Sequence, residues 1–169
     1  MIFNIYSKNN SANELEVVSV LKSVCKNYNM PVFTNEIAVE EGVVPHAYPI
    51  LTINTRVKEP RLLLKTLVHE QFHWYTKEHP QYAGCIAYLK KNYKNDGEHN
   101  KSCTYPNSYW EHIIVCYNTR NYLESKLSQK DILWIYEQWQ PYPELEKLIV
   151  QKKEVIKKEL EKFGILFHL

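Results

Sequence analysis

No stretch of this 169-residue sequence approaches eighteen consecutive apolar residues, so no membrane-crossing helix and no membrane partner is expected. A dominant charge is missing as well. Twenty-one Lys and Arg against nineteen Asp and Glu leave a net charge of +2, too small and too mixed for a nucleic-acid surface. The opening MIFNIYSKNN lacks a basic region followed by an apolar stretch, so it does not read as a secretory signal, and a cytoplasmic setting is expected. Cysteine is sparse: four residues, at 25, 85, 103 and 116, with no C-x-x-C pair. They read as thiols in a reducing compartment. No repeat and no linker-like composition interrupts the chain, so residues 1–169 are expected to form a single domain with a core of its own. What the sequence does have is aromatic mass, thirteen tyrosines and four tryptophans, which points to a core rich in large amphipathic rings.

Periodicity predicts a helix-rich α+β chain. MIFNIY reads as a short strand. Ser11 can cap a first helix, with Glu14 placed three residues on as a capping-box partner. Leu15, Val18, Leu21, Val24 and Tyr28 then recur at helical spacing. MPVFTNEIAV and AYPILTINT read as strands around the turn-like EEGVVPH. A helix is predicted from about Glu59 to Lys77, and Pro80 can open another. The polar stretch 94–107 is the longest candidate loop and a possible lid. SYWEHIIVCYNTRNYLESKL follows a plausible Asn107 cap, and SQKDILWIYEQW is a short fifth helix. A final helix, about 143–163, would stop at Gly164. Its apolar stripe would serve as a lid packed on the domain or as a surface for another chain.

The densest chemistry lies in VHEQFHWYTKEH, residues 68–79. His69, Glu70 and His73 form H-E-x-x-H. One helical turn separates the two histidines, so their imidazoles point the same way and can fill adjacent corners of a zinc tetrahedron. Glu70 sits about 100° around from His69, on the side nearer His73, where it can lean over a metal without binding it. A carboxylate there can take a proton from water and pass it to a leaving amine. Leu64, Leu67, Val68 and Tyr75 project roughly opposite the histidines, which gives the helix a buried back and a front open to a cleft.

On these five residues the chain resembles the zincin metallopeptidases, whose active-site helix carries H-E-x-x-H. The resemblance implies a minimal zincin-like domain, a small mixed sheet packed on a helical bundle. It also implies Zn2+ held by His69 and His73, Glu70 as general base, a peptide or protein substrate, and a substrate-binding edge strand that AYPILTINT could supply. The strict match is five residues; the order of elements extends it loosely over about 45–125.

A catalytic zinc needs a third protein ligand, and three residues compete. His79 fits the spacing of the metzincin pattern H-E-x-x-H-x-x-G-x-x-H, but Thr76 stands at its glycine, and the only methionines are Met1 and Met30, so that family's methionine turn has no counterpart. The plainer reading of His79 is a helix-end cation before Pro80. Glu111 would be a gluzincin-type ligand, 38 residues after His73, on a mixed helix side with Asn118, Tyr122 and Ser125. His112 shares a side with Tyr109, Cys116 and Leu123 that reads as buried, and a buried imidazole needs a partner. His112 is the favoured ligand, with Glu111 and His79 as alternatives. SYWEHIIVCY also resembles the downstream helix of small zincin-like proteins with a third histidine ligand.

Secondary candidates are plainer. Cys116 reads as a small buried thiol rather than a ligand. His46 could steady an oxyanion from the cleft wall, though a turn role is commoner. Tyr105 or Tyr109 could donate to a tetrahedral intermediate. The sequence-level expectation is therefore a zinc-dependent peptidase. The alternative is a non-catalytic zincin-like module that keeps its metal for regulation or interaction.

Overall fold

The computed structural model describes residues 3–93, 108–138 and 141–168. The 94–107 loop, with His99, Cys103, Tyr105 and the Asn107 cap, lies outside the described residues. Among the described residues the fold is α+β, with three strands and seven helices. Cα proximity divides the chain into two compact units, Met1–Trp74 and Tyr75–Leu169.

The first unit contains β1 (Asn4–Ser7), α1 (Ala12–Asn27), β2 (Glu36–Val39), β3 (Leu51–Ile53) and most of α2 (Pro60–Glu78). The strands lie in the order β1-β2-β3 and are parallel throughout. Ile5 is in register with Ile37, and Ile37 with Leu51. Of the mixed sheet expected, the antiparallel component is a single bridge between His46 and Thr52. Ile37, Ala38, Val39, Leu51 and Ile53 are all buried, as strands of a parallel sheet covered on both faces require. Both strands are shorter than their apolar runs. Before β3, Pro49 has no N–H to give a ladder, and the chain from His46 turns back on the strand instead of extending it.

Ser11 caps α1 as expected, its hydroxyl accepting from the Glu14 N–H at 3.2 Å. Glu14 does not complete the box. Its carboxylate is fully buried and accepts from the Ser7 hydroxyl at 2.7 Å, the Asn9 N–H at 2.8 Å, the Asn9 side-chain amide at 2.9 Å and the Glu41 N–H at 3.0 Å. It thus ties the β1–α1 loop to the chain beyond β2. Burial alone would push this carboxyl up, but the hydrogen bonds from Ser7, Asn9 and Glu41 hold it at about 2. A folded value below the unfolded one, near ~4.3, means stability that is complete above that unfolded value and is lost as pH falls toward about 2. Glu14→Gln is expected to lower the thermal midpoint at pH 7 by roughly 5 °C and to flatten its acid dependence, which a melting series from pH 7 to pH 2 reads directly. An unchanged acid limb would assign that dependence to other carboxylates.

α2 begins at Pro60 because Glu59 caps it: its carboxylate accepts the N–H groups of Arg61 at 2.8 Å and Leu62 at 3.0 Å. Leu63, Leu64, Leu67, Val68 and Phe72 are buried along the helix, each worth about 1.5–3 kcal/mol of transfer free energy. Gln71 is fully buried too. Its Oε1 accepts from the N–H groups of Phe33 and Thr34 at 2.8 and 3.0 Å, and its Nε2 donates to the Thr34 carbonyl at 2.7 Å. These bonds fasten the middle of the H-E-x-x-H turn to the segment entering β2.

The second unit holds α3 (Tyr82–Asn92), α4 (Ser108–Lys126), α5 (Gln129–Glu137), α6 (Pro143–Gln151) and α7 (Lys153–Lys162). α4 is the central element, buried continuously from His112 to Thr119. The side carrying Asn118 and Tyr122, read from sequence as mixed, is buried at both residues, and Asn118 holds the C-terminal segment through Ile165 and Phe167. The single final helix expected over 143–163 is two helices meeting at Lys152, whose φ of −114° and ψ of 24° leave the helical range. Its stripe stays in phase across the break: Leu145, Ile149, Ile156 and Leu160 all enter one core with Ile86, Leu89 and Ile113. Gly164, at φ 60°, ends α7 as predicted. Its N–H reaches Glu161, and the Ile165 N–H reaches Leu160, a paired closure that needs a left-handed residue. Among the described residues Cys25, Cys85 and Cys116 form no disulfide, and no helix is long and apolar enough to cross a membrane.

Candidate metal centre

His69 and His73 project from consecutive turns of α2, half-buried, with ring centroids 5.0 Å apart and planes at 78°. The edge-on arrangement keeps the imidazoles from stacking on each other. His112, on α4, joins them. One ligand nitrogen from each of His69, His73 and His112 lies within 4.8 Å of the others. Two nitrogens on one tetrahedral zinc stand about 3.3 Å apart, so small ring rotations would bring the three onto a single ion.

The second nitrogen of His112 fixes its tautomer. Nδ1 lies 2.5 Å from the Ser108 carbonyl oxygen and 3.3 Å from the Ser108 hydroxyl. A carbonyl can only accept, so Nδ1 carries the proton and Nε2 presents its lone pair. A ligating histidine needs just this outer bond to orient it. The partner comes from one turn earlier in the same helix. Tyr142 packs its ring against His112 with centroids 4.2 Å apart, which covers one face of the imidazole.

Glu70 is 7% exposed. Burial raises its carboxyl above the ordinary value, while the imidazoles of His73 and His46 pull the other way. His46 itself is exposed. Its Nδ1 lies 2.9 Å from the Val44 carbonyl, and the same logic places a proton there.

The remaining candidates lie elsewhere. Glu111 accepts a hydrogen bond from the Tyr82 hydroxyl at 2.8 Å, and His79 Nδ1 accepts from the Gln81 N–H at 3.2 Å. Neither belongs to the histidine cluster among the described residues. Cys116 is buried in the core of the second unit, and Tyr109 is buried there edge-on to Trp110 at 5.7 Å. Sequence reasoning missed two contributors. The role of Ser108 was readable in principle, since a histidine four residues into a helix can reach the first carbonyl. Tyr142 left no signal, being thirty residues from His112 with no periodic relation to it (142 − 112).

The chain matches no family model, and it has no significant match among curated proteins or solved structures. The chemistry of the centre therefore rests on its residues. Three imidazoles are a borderline-soft, neutral donor set, well suited to zinc and unsuited to magnesium or calcium. Three protein donors would leave one tetrahedral corner to fill, whereas a structural zinc is ordinarily closed by a fourth protein ligand.

Proposed function

We propose that the chain binds one zinc ion through His69, His73 and His112, and that this centre hydrolyses an amide bond in a peptide or protein. The observation that carries the proposal is the convergence of three histidine nitrogens within 4.8 Å. When bound, the metal supplies a Lewis acid that polarises a carbonyl and acidifies water. The protein residues do the rest. Glu70, one position after a ligand, is the only carboxylate in the motif turn. Burial raises its carboxyl above the ordinary value, the direction that suits a group proposed to accept a proton and release it again. The Ser108 carbonyl orients the His112 ring through Nδ1, and Tyr142 packs against that ring.

A second reading keeps the metal and drops the reaction: a module in which zinc serves stability or recognition. It is favoured by the outer side of β3, where the Thr52 backbone already bonds to His46 and offers nothing to a peptide in the structure as it stands. Both readings predict the same first result. Purified protein dialysed against trace zinc is expected to hold close to one equivalent by elemental analysis, and replacing both His69 and His73 by alanine is expected to abolish it. Protein without metal at saturating zinc would dispose of both.

A further inference from the structure

The segment between β2 and β3 does more than connect them. β3 ends the sheet, so among the described residues one side of it has no neighbouring strand. A bare strand edge is a template for another extended chain. In this protein the edge is filled by the chain itself. The Thr52 N–H donates to the His46 carbonyl at 2.8 Å, and the His46 N–H donates to the Thr52 carbonyl at 3.1 Å. The Thr52 hydroxyl donates to the Ile50 carbonyl at 2.9 Å, which occupies the next acceptor along. The pairing is antiparallel, the sense in which a short added strand makes its closest bonds.

The same segment is fastened to the motif helix at its second ligand. The Trp74 indole N–H donates to the Ala47 carbonyl at 2.9 Å, the Tyr48 hydroxyl donates to the His73 carbonyl at 3.2 Å, and the Tyr48 and Trp74 rings pack at 4.5 Å. Yet the segment contributes little to the core. Val44 is 69% exposed, His46 and Pro49 are exposed, and only Ala47 is buried. Gly42, at φ 83°, sits where it leaves the sheet. A stretch held by a few polar bonds and little apolar burial is the kind that opens locally without unfolding the rest.

We infer that residues 43–50 form a self-occupying strand that stands in for substrate: an extended polypeptide pairs with Thr52 in the place of His46 after this segment lifts from the edge. The inference rests on the hydrolytic reading of the metal centre and adds its regulation. The segment limits access of long chains and leaves short amides, which need no strand pairing, unaffected. Its antiparallel bond pair with Thr52 also sets the direction in which the incoming chain runs.

The test uses the full chain with one equivalent of zinc, as wild type and as Trp74→Phe, which removes the indole bond to Ala47 and keeps an aromatic ring against Tyr48. Tyr48→Phe, which removes the bond to the His73 carbonyl, is the companion variant should the first not fold. Amide hydrogen exchange at Thr52 is measured beside cleavage of internally quenched decapeptides and of a blocked dipeptide anilide. Loss of one such bond is expected to speed Thr52 exchange about fivefold. Cleavage of decapeptides should rise by a similar factor while the anilide rate stays level. Faster exchange without faster decapeptide cleavage overturns the inference, and so does unchanged exchange in both variants. If wild type cleaves neither probe, the hydrolytic reading fails on its own. The strand is then judged by fluorescence anisotropy with a labelled decapeptide: about fivefold tighter binding to the variant supports it, and equal binding overturns it.

Discussion

Glu70→Gln is expected to hold zinc at close to one equivalent per chain and to lower amide hydrolysis by about 10²–10⁴-fold, the usual contribution of a positioned general base. The substitution is nearly isosteric, so it leaves the packing around a side chain that is 7% exposed almost unchanged. What it removes is the site for a proton. A neutral amide cannot take one from water, and it cannot return one to a leaving amine. Metal binding should survive because Glu70 lies outside the histidine cluster. Folding should survive too: a carboxylate whose burial disfavours its charge is replaced by a group that carries none. Steady-state cleavage of a peptide library, read beside zinc content and melting temperature, separates the outcomes. Equal cleavage by both proteins would remove Glu70 from the reaction. Inactivity of both, with zinc bound, would favour the non-catalytic module.

His112→Ala is expected to weaken zinc binding by at least ~10³-fold, measured by competition with a chromophoric chelator. Loss of a partner that merely orients a ligand costs about 10–100-fold in affinity, and loss of a ligand should cost more. Glu111→Ala and His79→Ala are the internal controls. Each has its own hydrogen-bond partner, Tyr82 and Gln81 respectively, and each is expected to change affinity by less than about threefold. A loss at Glu111 matching that at His112 would replace the three-histidine set by a carboxylate-containing one. The comparison matters because the two residues are adjacent on α4 and about 100° apart around its axis, so they present alternative donors on different sides of one helix.

How far the sequence reveals all this depends on the range over which each signal acts. The His69–His73 relation is legible because it is one turn of one helix, and the period of a helix is local. The burial of His112 is legible from Tyr109, Cys116 and Leu123, which repeat on its side and are buried in the structure. The side carrying Glu111 reads as mixed and is mixed, with Glu111 half-buried and Ser125 exposed, but the burial of Asn118 is not legible from composition, because its partners Ile165 and Phe167 lie almost fifty residues away. Glu14 was recognised at the right position for a plausible local reason, the capping box, but a longer-range one prevails: four donors converge on it, one from Glu41. The strand ends were overread since apolar composition continues past the point where backbone pairing stops. A turn before β3 is legible in EEGVVPH, but the pairing of His46 with Thr52 is not, because backbone groups make both bonds.

The two spacer positions of the motif carry a further consequence. In H-E-x-x-H they are nominally free, but here Gln71 and Phe72 are fully enclosed, and Gln71 makes three bonds to the chain at Phe33 and Thr34. A shift in the approach to β2 would therefore reach the H-E-x-x-H turn through these bonds. The placement of His69 and His73 is in this sense tied to a site some forty residues upstream, and a substitution at position 71 that drops the amide gives up all three of those bonds.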